Sequence, residues 1–477
     1  MRIAVVGAGV GGLAAAVRLA SAGHAVTVLE QGSAAGGKAG RWEREGFAFD
    51  TGPSLLTMPW VFEDLFAGTG APLDACGVEL VRVEPVTRYR FADGSSVDLS
   101  ADLPVALEAL EAWSPGAGSD WVGLLGTCAA MWRASGPFLS GPPPFPPRMP
   151  AAGDAAPDPR DFLRVRPWHT LRTLARSRVR DPRLRMVVER FATYAGADPR
   201  RAPAALAVAG YVEHAFGAWH VRGGIHRLVT ALVQRLRLLG GSLRLDTRVD
   251  ALLLSGRQVR GVSTAAGPVP ADAVVWNGDA LALERLLGRP PRPESQRSLS
   301  GFAVMLGLRG RTPGLVHHAI TFPADYDAEF DDIFSARRLV RDPTLYVSAS
   351  CASDPSQAPD GAENWFVLVN APAGRPPSPS EADEYEAGLV ARLGVGSRVM
   401  VRNRRSPADL ERETGAVGGA IYGAAPHGRL ATLRRPGPVV RGVGGLYRVG
   451  GTAHPGGGLP LVALGGRVVA NLIGPAR

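Results

Sequence analysis

Residues 2–30, RIAVVGAGVGGLAAAVRLASAGHAVTVLE, leave the chain little freedom in its choice of fold. Ile3 to Val6 is a short unbroken apolar run, the pattern of a strand covered on both faces. Gly7, Gly9 and Gly12 follow it as GxGxxG. Val10, Leu13, Val17 and Ala20 then recur at helical spacing, and Gly23 supplies a stop. Ala25 to Leu29 is a second strand, closed by Glu30. Two strands joined by one helix run parallel, so the spacing predicts a βαβ unit and an α/β sheet around it.

The same residues have a chemical use. Gly7 permits the tight turn, Gly9 lets backbone approach a pyrophosphate, and Gly12 lets the helix pack closely on the strand. The free N–H groups of the helix N-terminus then face the phosphates. Glu30 stands where a carboxylate accepts hydrogen bonds from a ribose 2′-hydroxyl; an NADP site would favour arginine there. GxGxxG alone would mean little, but strand, turn, helix, second strand and terminal acid in order point to an adenine dinucleotide. A glycine turn without a ligand is the plainer alternative. The next stretch, EQGSAAGGKAGRW, brings Gly36-Gly37, Lys38, Gly40 and Arg41. A second glycine pair with basic side chains adds N–H donors and a cation for a diphosphate. GFAFDTGPSLL then gives a short aromatic strand ending in Asp50-Thr51-Gly52-Pro53. NAD dehydrogenases have no use for this pair of motifs, whereas flavoproteins of the amine-oxidase-like class do, so FAD is the expected cofactor. Lys38 read as an ordinary surface cation is the alternative.

At 477 residues the chain exceeds one ordinary core, and two or more domains are expected. Residues 100 to 220 turn Arg- and Ala-rich and helical around the proline-rich GPPPFPPRMPAAGDAAPDP. That stretch reads as a surface loop, or more sharply as a mobile apolar lip of Phe138, Leu139, Phe145 and Met149 that touches lipid. From Trp219 the dinucleotide grammar returns. VRGGIHRLVTALVQRLRLLGG has one apolar helical face, SLRLDTRVDALLLSGRQVRGVST gives short strands, and ADAVVWNGDA gives a buried strand ending in Asn277 and Asp279, which read as backbone-positioning groups. FAVMLGL, TLYVSAS and NWFVLVN suit a second sheet that floors a substrate cavity. The expected fold is therefore α/β: a discontinuous Rossmann-like FAD-binding domain (1–100, 220–292 and 411–477), a helical lid or membrane-facing region (101–219), and an α+β substrate domain (293–410).

Composition narrows the class further. With 45% apolar and 20% charged residues the chain is globular, and no apolar run approaches the roughly 18 residues of a membrane span. Met1 and Arg2 lead directly into a strand and glycine turn instead of a signal peptide, so an intracellular protein is expected. Cys76, Cys128 and Cys351 lie far apart without metal-ligand spacing and read as reduced, buried thiols; neither a disulfide framework nor a metal site is expected. The net charge of +9 comes almost wholly from arginine, Lys38 being the only lysine. Arginine is scattered and not clustered with aromatics, which argues against nucleic acid; the coding bias of a GC-rich genome is the plainer cause of the excess, and an anionic membrane surface stays open as a partner.

The motifs VVGAGVGGLAAA, VLEQGSAAGGKAGR, FDTGPSLLTMP, VRGGIHRLVTAL, ADAVVWNGD and GGLYRVGGTAHPGGGLP, with the specific central stretch from Val316 to Val369, resemble the bacterial phytoene desaturase family. These are FAD-dependent carotenoid desaturases within the amine-oxidase-like flavoproteins. The resemblance implies removal of a hydride from an allylic C–H to flavin N5, proton loss from the adjacent carbon, a long apolar polyene as substrate, and reoxidation by a quinone or oxygen at the inner face of the cell membrane. It also implies that Val249 contacts the adenine part of FAD through its backbone. Gly-Gly-Thr-Ala-His replaces the usual Gly-Ala-Gly-Thr-His, and Lys38 replaces a frequent arginine. Both departures keep flavin binding and leave the substrate open between phytoene and a downstream carotenoid, with a 3,4-desaturase as candidate.

The C-terminal GGTAHPGGGLP is fed by LYRVG and followed by Leu461, Leu464, Val468 and Leu472 at helical spacing, a strand-to-helix turn like that at Gly7–Gly12. Its N–H groups suit the charge that grows at flavin N1 and O2 on reduction. Gly451, Thr452, Leu459 and Pro460 are accordingly expected at the isoalloxazine end, with His454 packed beside it. Gly7, Gly9, Gly12, Glu30, Gly37, Lys38, Arg41 and Val249 are expected at the other. The proton acceptor is not readable; His317 and His318 are weak catalytic candidates, and a structural pair at a strand end is the plainer reading. An amine oxidase would place a mid-chain lysine near flavin N5, and none follows Lys38. A non-catalytic isoprenoid-binding protein of this fold would lack the flavin loop. A carotenoid oxygenase or ketolase stays open.

Overall fold

The computed structural model describes residues 1–141, 159–290, 293–428, 431 and 435–476. Arg2–Val6 stands at the centre of a five-stranded parallel sheet. Ala25–Leu29 and then Ser242–Arg244 lie on one side of it, Ala273–Trp276 and then Leu446–Arg448 on the other. Strands from three separate parts of the chain thus share one sheet. Both faces are covered, which is why the strands read as unbroken apolar runs. Ile3 and Val5 pack against helices Val10–Ser21, His226–Leu238 and Leu459–Ile473. Ala4 and Val6 meet Val259 and Val262 of the antiparallel meander built from Val249–Ser255, Gln258–Thr264 and Gly267–Pro270. The first and last long helices touch backbone to backbone: a Cβ at Gly466 would lie 2.8 Å from the Ala15 nitrogen.

The second sheet has seven strands, with the ten-residue Ser300–Arg309 and Ala362–Ala371 paired antiparallel near its middle. Thr87–Arg90 and Ser96–Leu99 belong here, a correction to the expected boundary at residue 100. Thr87–Arg90 pairs parallel with His318–Thr321, and Tyr89 buries its ring in the same core as Ile320 and Phe322. Hydrophobic packing on that sheet, not proximity in sequence, decides where the hairpin goes. The helical layer, led by Leu103–Trp113, Ala117–Ser140, Leu171–Arg178 and Pro182–Arg190, covers the sheet's end around Trp121, Leu174 and Val188.

Cys128 and Cys351 are buried thiols, but Cys76 is only half-buried; all three are free. No described helix is long and apolar enough to cross a membrane. Phe138 and Leu139 end the helix Ala117–Ser140, while Phe145 and Met149 of the expected lip lie outside the described residues.

Candidate active site

One cavity of about 2320 Å³ runs from the N-terminal glycine turn to the second sheet. Its nucleotide half is built from two helix N-termini. Helix Val10–Ser21 starts at Gly9 and helix Leu459–Ile473 at Gly458, and neither has a side chain capping its first turn. Gly9, Val10, Gly11, Gly458, Leu459 and Pro460 all line the cavity. The orphan N–H groups of both helices are therefore left for a ligand, and the dipole of each favours negative charge there.

Glu30 is buried, and its two carboxylate oxygens accept one backbone bond each, from Ala8 N at 2.7 Å and Gly32 N at 2.9 Å. Each oxygen keeps acceptor capacity on the cavity wall, as ribose hydroxyls require. Gly7, Gly37 and Val249 line the same wall, and Gly451 and Thr452 stand with Leu459 and Pro460 at the other end. The Thr452 hydroxyl also accepts from Ala280 N at 2.9 Å, tying the C-terminal turn to the start of helix Ala280–Leu286. These residues fit FAD: Glu30 and Val249 would hold the adenosine, the first helix the diphosphate and the last helix the flavin ring.

Several expected residues fall elsewhere. Gly12, grouped with the cofactor residues, is not on the wall; it lies against the Gly7 carbonyl and Asn277, in the helix-packing role expected of the third motif glycine. Arg41 is also off the wall, its guanidinium held by the Gly223 carbonyl and Glu43. Lys38 is on the wall, but its Nζ donates to the Ile421 carbonyl. Burial pulls the Lys38 ammonium down to about 8, with Asp279 opposing and Arg405 assisting. His454 is not itself on the wall; its Nε2 meets the carbonyl of the cavity-lining Gly141 at 2.9 Å and its ring packs edge-on against Phe138, also on the wall. Asn277 and Asp279 position backbone as expected. Asn277 Nδ2 donates to the Gly7 carbonyl at 3.1 Å, and Asp279 caps the helix Ala280–Leu286.

The other half of the cavity is floored by alternate residues of the second sheet: Gly301 and Ala303, His318 and Ile320, Phe366 and Leu368. Period-two alternation sends the intervening side chains into the core behind. Trp132, Phe138, Leu206 and Val212 complete an apolar wall from the helical layer. His317 is buried behind this surface, its Nδ1 bonded to the Ser353 hydroxyl at 2.8 Å. His318 reaches the wall in a chain from Ser54 through the Tyr346 hydroxyl to His318 Nδ1 at 2.9 Å. Burial lowers His318 to about 3, with His220 and Arg190 adding to it, so it is neutral at pH 7.

The model of the flavin-containing amine oxidoreductases matches residues 10–471. A hydroxyneurosporene desaturase from Cereibacter sphaeroides is 36% identical over 99% of this chain and 97% of its own. A phytoene dehydrogenase from Streptomyces griseus is 35% identical over 99% and 94%. A 1-hydroxycarotenoid 3,4-desaturase from a Flavobacterium species is 30% identical over 98% of each.

The chain belongs to the carotenoid desaturase family. Within the flavin-containing amine oxidoreductases, this carotenoid desaturase is an FAD-dependent oxidoreductase, and its cavity gives the membership physical form. The dinucleotide end is rich in free N–H groups; the other end is largely apolar, with Phe366, Leu368 and Ile320 on its floor. Arg190, Tyr194 and Glu213 on the cavity wall were not among the expected site residues. The signal available for them was a pair of charges, Arg190 and Glu213, beside the apolar helical positions Val187, Val188 and Val212.

Proposed function

We propose that this carotenoid desaturase acts downstream of phytoene, forming a carbon–carbon double bond near an oxygen-bearing end of an acyclic carotenoid. The observation that carries this reading is the single cavity in which the FAD-binding turns run directly into an apolar sheet floor. The names of two of the three relatives, both specifying hydroxylated carotenoids, support the choice of substrate. FAD, when bound, supplies the two-electron acceptor for the hydride. The chain's own part is to hold a hydrocarbon by burial and dispersion, since a polyene offers no hydrogen-bond handle along its length. Phe366, Leu368 and Ile320 exclude water from the reacting carbons, and Gly301 and Ala303 keep the floor low enough for the chain to lie on it.

The flavin-loaded protein is expected to red-shift the spectrum of a 1-hydroxylated acyclic carotenoid in vitro, and to leave phytoene unchanged. Conversion of phytoene alone would overturn the reading.

The substrate and a quinone acceptor both reside in lipid, and oxygen partitions there, so the proposed location is the cytoplasmic face of the cell membrane. Asp161, Val165, Arg166 and Pro167 line the cavity, while Leu163 and Trp168 beside them are 56% and 46% exposed. A cavity mouth rimmed by an exposed leucine and tryptophan within an arginine-rich segment suits an anionic lipid surface. Flotation with anionic vesicles is expected to carry the protein upward, and the double variant Leu163→Ser, Trp168→Ser is expected to float about tenfold less. Equal flotation of both proteins would remove this segment from the membrane contact.

A further inference from the structure

We propose that Arg190, Tyr194 and Glu213 form a polar subsite that grips a terminal hydroxyl of the substrate; this rests on the carotenoid reading above. All three line the cavity, next to Phe191, Leu206 and Val212. Arg190 and Glu213 are only 6% and 8% exposed. The Tyr194 hydroxyl donates to Glu213 Oε1 at 3.0 Å. The Arg190 guanidinium lies over the Tyr194 ring at 4.8 Å from its centroid and donates through Nη2 to the Tyr89 hydroxyl at 2.8 Å. Its Nε is buried without a hydrogen-bond partner.

The guanidinium's contacts are thus a phenol and aromatic faces, and the carboxylate's contact is a second phenol. Burial pushes the Glu213 carboxyl up, with Arg190 opposing. A wall that only held hydrocarbon would gain nothing from such groups, because covering them with apolar chain removes water and returns no hydrogen bond. The set selects its ligand by charge and by donor balance. A carboxylate would face Glu213, and an amine would face Arg190. A hydroxyl donates to the carboxylate and accepts from the guanidinium, so it satisfies both.

The segment carrying Tyr194 packs close to the C-terminal glycine turn. Gly196, two residues beyond Tyr194, lies against Tyr422: a Cβ there would stand 2.8 Å from the ring. Tyr422 in turn abuts Gly457, whose Cβ would stand 2.4 Å from the same ring. One aromatic ring therefore separates the segment carrying Tyr194 from the C-terminal glycine turn that would hold the flavin ring.

The test compares a 1-hydroxylated acyclic carotenoid with its unhydroxylated counterpart, using the flavin-loaded enzyme and the variants Tyr194→Phe, Glu213→Gln and Glu213→Leu. The ratio of kcat/KM for the two substrates is expected to fall about tenfold or more in Tyr194→Phe and Glu213→Leu, chiefly through KM. Glu213→Gln, which keeps an acceptor oxygen, is expected to fall between them and wild type. Binding of both carotenoids, read from the shift of polyene absorption, is expected to show the same loss for the hydroxylated one alone. Tyr194→Phe removes a single oxygen and serves if Glu213→Leu does not fold. An unchanged ratio and unchanged binding in Tyr194→Phe and Glu213→Gln would overturn the subsite. Failure of wild type to convert any hydroxylated carotenoid would instead sink the substrate reading, and the binding arm would still decide whether these residues hold a hydroxyl.

Discussion

Gly12→Val is expected to purify colourless. A Cβ at this position would stand 2.3 Å from the Gly7 carbonyl oxygen and 2.9 Å from the Asn277 side chain, and neither neighbour has room to move. Helix Val10–Ser21 would have to back away from strand Arg2–Val6, and the Asn277 bond to the Gly7 carbonyl would open with it. Overpacking of this kind costs about 1–3 kcal/mol or more in stability. The larger loss falls on the cofactor, because the N–H groups of Gly9, Val10 and Gly11 move with the helix. Bound flavin per mole of protein, read from visible absorbance, is expected to drop at least ~10-fold. Gly136→Ala is the control: that glycine sits in helix Ala117–Ser140 with nothing within 4 Å of the added carbon, and its flavin content is expected to match wild type. A fully yellow Gly12→Val protein of normal stability would refute this account of the turn.

Acid is expected to unfold the protein well above the range in which its carboxylates titrate. His318 and His454 are each 1% exposed, and burial lowers them from the ordinary 6.5 to about 3 and about 4. His454 also keeps a buried Nδ1 without a partner, while its Nε2 is placed to donate to the Gly141 carbonyl. Both are therefore neutral in the folded chain. Below pH 6.5 the unfolded chain binds protons that the folded chain refuses, so stability falls as pH falls, from about 6.5 down through about 4 and then about 3. The cost reaches roughly 2 kcal/mol for each histidine by pH 5, against a total stability of about 5–15 kcal/mol for a typical domain. Buried carboxyls raised by burial, among them Glu213 and Glu329, oppose part of this because they take up protons in the folded state first. The difference between variants isolates the histidine. His454→Gln keeps a donor for Gly141 and cannot titrate. Its urea midpoint is expected to fall less steeply than that of wild type between pH 6.5 and 4.5, and identical slopes would show that His454 does not carry the effect.

Much of the nucleotide half was readable from the chain because it is local. Glu30 closes a strand that begins five residues earlier, and the glycines of GxGxxG sit within one turn of each other. Period and spacing determine such features before any long-range contact forms. The same logic found the C-terminal turn, where a strand, a glycine run and an apolar helix follow in order. Side-chain direction was not readable. Arg41 and Lys38 sit in the expected motif, yet one turns to Gly223 and the other to Ile421, residues remote in sequence. Long flexible side chains take the partner that folding brings near.

By itself the sequence determined a parallel sheet with a dinucleotide turn at each end of the chain, an alternating second sheet, and the family. Only the tertiary structure brought the two uncapped helix N-termini onto one cavity, moved the hairpin of Thr87–Arg90 and Ser96–Leu99 to the second sheet, and placed Arg190 beside Tyr194 and Glu213. The division follows from range. Backbone periodicity and glycine geometry act over a few residues, whereas a buried charge acquires its meaning only from the groups that packing sets around it.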